Sequence, residues 1–166
     1  MTQTARISLA LDIAQTGTAD LATITAAIRK TYPTELLSGT GSGNADMVWS
    51  DTRTLAASGS EDLDLAGSLT GHLGGTLTFV TVKAVIVKAA AGNTNDVVVS
   101  RPASNGVPLF AAGSDAIPVK PGGLFAWVAP GTGVTVTAGT GDLLHVANSG
   151  SGTGVDYDVI IVGTSA

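Results

Sequence analysis

LTFVTVKAVIVKA (77–89) is followed by DVVVS (96–100), GLFAWVA (123–129), VTVTA (134–138), DLLHVAN (142–148) and VDYDVIIVG (155–163). Each segment is short, rich in β-branched or aromatic residues, and bounded by Gly, Asn, Pro or Ser. Successive side chains of a strand point to opposite faces. Period-two alternation cut by regular turn signals therefore specifies an all-β sandwich or barrel. Leu77–Ala89 is the longest segment and belongs in the middle of a sheet. Gly92-Asn93-Thr94-Asn95 is turn chemistry, because Gly and Asn tolerate positive φ.

Working back from this block, DMVWSD (46–51), Arg53–Ala57 and Glu61–Leu65 read as further strands, and Ala116–Val119 as a brief one. That makes eight or nine strands after residue 45, the count of an antiparallel jelly-roll-like β-sandwich. A Greek-key sandwich of another topology is the alternative. The stretch 101–115, with Pro102 and Pro108, reads as a long irregular connection. The recurring Gly-Thr-Gly triplets are irregularly spaced and read as turns.

The first 43 residues differ in character. TQTARISLALDI (2–13) alternates, with Ile7, Leu9 and Leu11 on one face and Arg6, Ser8, Ala10 and Asp12 on the other. A short helix is expected next, over roughly residues 20–31. Asp20 is a possible N-cap, Leu21, Ile24 and Ile28 fall at helical spacing, Arg29 and Lys30 suit a last turn, and Pro33 is a stop. SGTGSGN (38–44) has the composition of a flexible linker. The expected organisation is an N-terminal strand–helix arm with its linker over 1–43, and a sandwich domain over 44–166.

Composition narrows the function classes. The chain of 166 residues has 13% charged residues, net charge −5 and no Cys. Disulfides, thiol chemistry and Cys-ligated zinc are excluded. No basic patch is present to meet a phosphate backbone, so nucleic acid is not an expected partner. The N-terminal residues lack the basic and apolar regions of a secretory signal, and no apolar run approaches a membrane span. The chain is expected to be made in the cytoplasm and to have no membrane partner. Few charges and 44% hydrophobic residues suit a surface shared with other subunits, and a homo-oligomer, a trimer by preference, is expected.

No catalytic or cofactor set is evident. His72 lies in the Gly-rich TGHLGG and His145 in mid-strand, and neither is expected to bind metal. Glu61, Asp62 and Asp64 lack the calcium-loop pattern and read as the charged face of an edge strand. Asp142, Asp156 and Asp158 lack the aromatic neighbours of a glycosidase cleft, and no nucleophile elbow occurs. The chain is expected to act by binding, without enzymatic activity, metal or cofactor. The candidate interaction residues are Ile7, Leu9, Leu11, Ile24, Ile28 and Trp49. For Trp49 both a core and an interface role are open.

VWSDTRTLAASGSEDLDLAG (48–67), VIVKAAAGNTNDVVV (85–99), VKPGGLFAWVAP (119–130) and VTAGTGDLLHVANSGSGTGVDYDVIIVGTSA (136–166) together resemble small structural proteins of tailed phages and prophages. The resemblance implies a virion protein made in the host cytoplasm, most simply a decoration or cement protein on the head surface. Its partners would be the major capsid protein or other virion proteins. A tail- or fibre-associated sandwich that binds a carbohydrate or receptor is the alternative.

Overall fold

The computed structural model describes residues 2–166, and every regular element among them is a strand. In chain order these are β1 (Ala5–Ala19), β2 (Ala22–Ser38), β3 (Asn44–Ala45), β4 (Met47–Leu55), β5 (Ser60–Asp64), β6 (Leu69–Thr70), β7 (Thr76–Leu77), β8 (Thr81–Ala89), β9 (Val97–Ser100), β10 (Ala116–Val119), β11 (Leu124–Val128), β12 (Val134–Thr135), β13 (Leu143–Asn148) and β14 (Val155–Thr164).

The main pairings after β3 are nested and antiparallel. β4 pairs with β14, β5 with β13, β8 with β11 and β9 with β10. The chain thus forms one long double ribbon that doubles back between β9 and β10. Winding this ribbon brings β14 against β8 and β13 against β9. Two sheets result, ordered β10-β9-β13-β5 and β11-β8-β14-β4, with β12 added to the end of β8. β8 is interior to its sheet, as its length and continuous apolar character require.

Both sheets contribute to one core. Val97, Val99, Leu144 and Val146 come from the first; Trp49, Val85, Val87, Val159 and Ile161 come from the second. Apart from Trp49, each residue lies two positions from its in-strand partner, so strand alternation aims each pair inward. The buried aromatics are Trp49, Phe79 and Tyr157; the rest is aliphatic.

Lys83 breaks the alternation. The register of β14 against β8 shifts between Val162, opposite Ala84, and Gly163, opposite Val82, so Lys83 is the extra residue of a bulge. It is buried, and its Nζ donates to the Gly131 carbonyl at 2.5 Å. The bulge puts Val82 inward and Ala84 outward on the same strand.

The N-terminal region departs from the sequence expectation. Residues 22–38 are a strand, and the expected helix over 20–31 does not form. β1 and β2 make a continuous antiparallel hairpin from Ala5↔Leu36 to Ala19↔Ala22, closed by a two-residue turn at Asp20–Leu21. The physical reason is the partner strand. A three-turn helix is marginal alone, whereas fifteen residues of β1 supply a hydrogen-bonding template of matching length and pattern. Thr23, Thr25, Thr31 and Thr34 also suit a strand better than a helix. Pro33 is accommodated because the far side of β2 has no neighbouring strand at that point.

The Gly/Ser segment after β2 is a hydrogen-bonded reversal. Leu37 N donates to Gly43 O and Asn44 N to Gly41 O, while Gly43 N donates to Pro130 O on the body. β3 then runs parallel to the end of β2, with Leu37 opposite Asn44 and Ser38 opposite Ala45.

Candidate interaction surface

Directly opposed residues of an antiparallel pair share a face. The hairpin register therefore sorts all its side chains. One face carries Ile7, Leu9, Leu11, Ile13 and Gln15 from β1, opposite Thr34, Tyr32, Lys30, Ile28 and Ala26 from β2; Gly17 and Ile24 follow toward the tip. The other face carries Arg6, Ser8, Asp12, Thr16 and Thr18 opposite Glu35, Pro33, Arg29, Thr25 and Thr23. Arg6 bonds Glu35 at 3.3 Å and Arg29 bonds Asp12 at 3.4 Å, both across the ribbon on this polar face.

The sequence candidates Ile7, Leu9, Leu11, Ile24 and Ile28 thus lie on a single stripe, although two of them were expected on a helix. Ile13 and Tyr32 complete it. The stripe is largely uncovered: Leu9 is 63% exposed, Ile24 62% and Tyr32 60%, and Leu21 at the turn is fully exposed. Fifteen residues of strand reach roughly 50 Å at about 3.4 Å per residue.

Only the base of the ribbon is anchored. Leu36, Ala45, Ala84 and Val162 form a second buried cluster, with Ala5, Ile7 and Val128 packed against it. Ala84 and Val162 are outward residues of β8 and β14, so the apolar face of the arm meets the outer face of the β11-β8-β14-β4 sheet. Beyond this contact the two surfaces diverge. The wedge between them is an apolar groove of about 370 Å³, lined by Leu9, Tyr32, Ile86, Leu124 and Val128 among others.

Trp49 is not part of this surface. It is 5% exposed and belongs to the main core. Met47 and Trp49 alternate with Val48 and Ser50, and pairing with β14 turns the Trp49 side inward. Its place as an interaction residue is corrected accordingly.

A polar cluster lies at the other edge of the same sheet. Arg53 is bonded to Glu61 through its Nε and terminal nitrogen and to Asp51 at 3.1 Å. Tyr157 Oη donates to Glu61 Oε1 at 2.7 Å. Burial, and then the Glu61 carboxylate, push the Tyr157 phenol well above its ordinary value. The hydrogen bond to Glu61 raises Arg53 further, against the opposing effect of desolvation. Nearby, Ser50 Oγ lies 3.0 Å from His72 Nε2, and His145 Nδ1 lies 2.6 Å from Asp62 Oδ1. The two imidazoles have different partners. No group of three metal-ligating side chains occurs among the described residues. The Glu61–Tyr157 bond was missed at the sequence level, since nothing in either segment's pattern links two strands so far apart.

Compared with known protein families, curated proteins and solved structures, the chain matches none.

Proposed function

We propose that this chain is a structural protein of a tailed-phage virion that decorates and cements the assembled head, acting by binding alone. The observation that carries the reading is the amphipathic β-ribbon. An all-β body holds out an arm whose apolar stripe, beyond Ile7 at its base, is largely uncovered by the described residues. Two-stranded ribbons are marginal in water by themselves, so an arm of this length is an element that gains its cover on assembly. At roughly 50 Å the arm is long enough to extend beyond its own body toward a neighbouring subunit.

We also read the wound double ribbon as a jelly roll. Nested pairing of first strand with last, through to the two middle strands, supports this. Jelly rolls recur in viral shell and lectin domains. Between those two settings, the burial of Trp49 and Tyr157 favours the shell. A sugar site needs an exposed aromatic platform, and neither residue supplies one.

The test is co-sedimentation of the purified full-length protein with phage heads assembled without it. Saturable binding, together with raised heat tolerance of the heads, is expected. Absence of binding to heads, with binding to tails or host glycans in its place, overturns the head assignment.

A further inference from the structure

We infer that the apolar stripe of the arm is covered by the same stripe of a second copy of this chain, the two ribbons stacking face to face about a two-fold axis. This rests on reading the arm as an assembly element, as proposed above, and names its partner.

Four observations point to a second copy. The first is area. Leu9, Leu11, Ile13, Ile24, Ile28 and Tyr32 are each about half exposed. At roughly 100 Å² apiece, two stacked stripes remove roughly 1,200 Å² from water, the lower bound for a specific interface. Each copy's share, roughly 600 Å², stands at the upper end for the largest apolar patch of a typical monomer.

The second is width. Two strands span about 10 Å, and packed sheets lie about 10 Å apart. A pair of two-stranded ribbons therefore forms a closed layer of ordinary core thickness. Three such ribbons around a three-fold axis leave too little room at the centre for their Ile and Leu side chains. At the arm, this geometry favours a pairwise contact over the three-fold contact that the trimer expected from composition would make there.

The third is charge. Residues 5–38 contain Arg6, Arg29 and Lys30 against Asp12, Asp20 and Glu35, so the arm is neutral and the net charge of −5 resides elsewhere. Arm against arm carries no net repulsion, whereas body against body does. Four of those six charges are already paired on the polar face.

The fourth is self-complementarity. Place the two-fold axis at the middle of the exposed ribbon, beside Ile13 and Ile28. The register then sets Leu9 of one copy over Gly17 of the other and Tyr32 over Ile24. Lys30, the single charge on the stripe, falls over Ala26, the cross-strand neighbour of Gln15. Its ammonium can reach an amide or solvent and meets no like charge.

Sedimentation equilibrium of the full chain at micromolar concentration tests this. A species of twice the 16.4 kDa chain mass is expected. Ile13→Asp with Ile28→Asp should weaken association at least tenfold, while Ala14→Asp on the polar face should leave it unchanged. Near-ultraviolet dichroism from Trp49 and Trp127 reports whether each variant keeps a folded body. The chain lacks cysteine, so Ile28→Cys offers a second measurement. A bismaleimide of about 10 Å span should join two copies carrying it, and should fail with Ala27→Cys. A monomeric wild type, a trimer, or a dimer indifferent to the stripe variants overturns the inference. A stripe-dependent dimer that ignores phage heads sinks the proposed function and leaves this inference standing. A monomeric wild type that still binds and stabilises heads does the reverse.

Discussion

Tyr157 Oη donates a hydrogen bond to Glu61 Oε1, and the two residues belong to opposite sheets: Tyr157 to β14, Glu61 to β5. Around an otherwise apolar core this is a polar tie between the layers. Arg53 holds the same carboxylate from β4, so three strands converge on one side chain.

Tyr157→Phe should therefore cost about 1.5–3 kcal/mol, the net worth of a hydrogen bond to a charged acceptor. The folded state raises this phenol above its unfolded value of about 10. The folded chain then holds a proton that the unfolded chain releases. The contribution is complete below pH about 10 and declines above it, by up to about 1.4 kcal/mol per pH unit. Urea unfolding from pH 8 to pH 11 should show the wild type losing stability more steeply than the Phe variant. Parallel curves would refute this.

Neighbouring leucines at the arm base should respond very differently. Leu36 is fully buried between the ribbon and the outer sheet face, whereas Leu37 is 56% exposed. Leu36→Ala should destabilise by about 2–5 kcal/mol, and Leu37→Ala should remain within about 0.5 kcal/mol of wild type. Equal melting temperatures would show that the arm base is not packed on the body.

Gly163 marks the place where β14 shifts register against β8. A Cβ there would sit 2.1 Å from the Thr81 carbonyl and 2.8 Å from the Phe79 ring. Backbone cannot give way as a side chain can, so Gly163→Ala should cost about 3 kcal/mol or more, at or above the usual range for overpacking. Gly152, whose Cβ would meet nothing, is the control: Gly152→Ala should be near neutral. Chemical denaturation of both separates the local clash from a general intolerance of alanine.

His72→Ala and His145→Ala should each change stability by less than about 1 kcal/mol, since each imidazole has one polar partner in a partly exposed setting. They should also leave head binding intact. Loss of binding would place the functional surface at the Ser50–His72 pair or the Asp62–His145 pair, according to the variant, and away from the arm.

The body was legible because its strands, apart from the bulge at Lys83, obey one rule: alternate residues face the core, and Gly, Asn or Pro ends each run. The arm was half legible. Ile7, Leu9 and Leu11 announce a strand, but Leu21, Ile24 and Ile28 fit a helix. Spacings of four between Ile24, Ile28 and Tyr32 are even numbers, so they also fit one face of a strand. The period alone could not decide. The threonines and the matching length of the preceding strand carried the deciding information, and both act only through pairing. Trp49 was ambiguous for a related reason: alternation says that it shares a face with Met47, and only the sheet says which face is inside.

Nested pairing has a consequence for the order of events during synthesis. β4 can close only on β14, so the body is incomplete until β14 has emerged. Such non-local topologies fold in milliseconds to seconds once the chain is free. The arm is the opposite case, a hairpin of strands adjacent in sequence, closing in about 1–10 µs. At synthesis rates of about 5–20 residues per second, roughly ten seconds separate emergence of β2 from emergence of β14. Throughout that interval the first element with both of its strands present in each nascent chain is the apolar ribbon, marginal on its own and without cover. Ribosomes queued on one message thus present arms to one another before any of them carries a body.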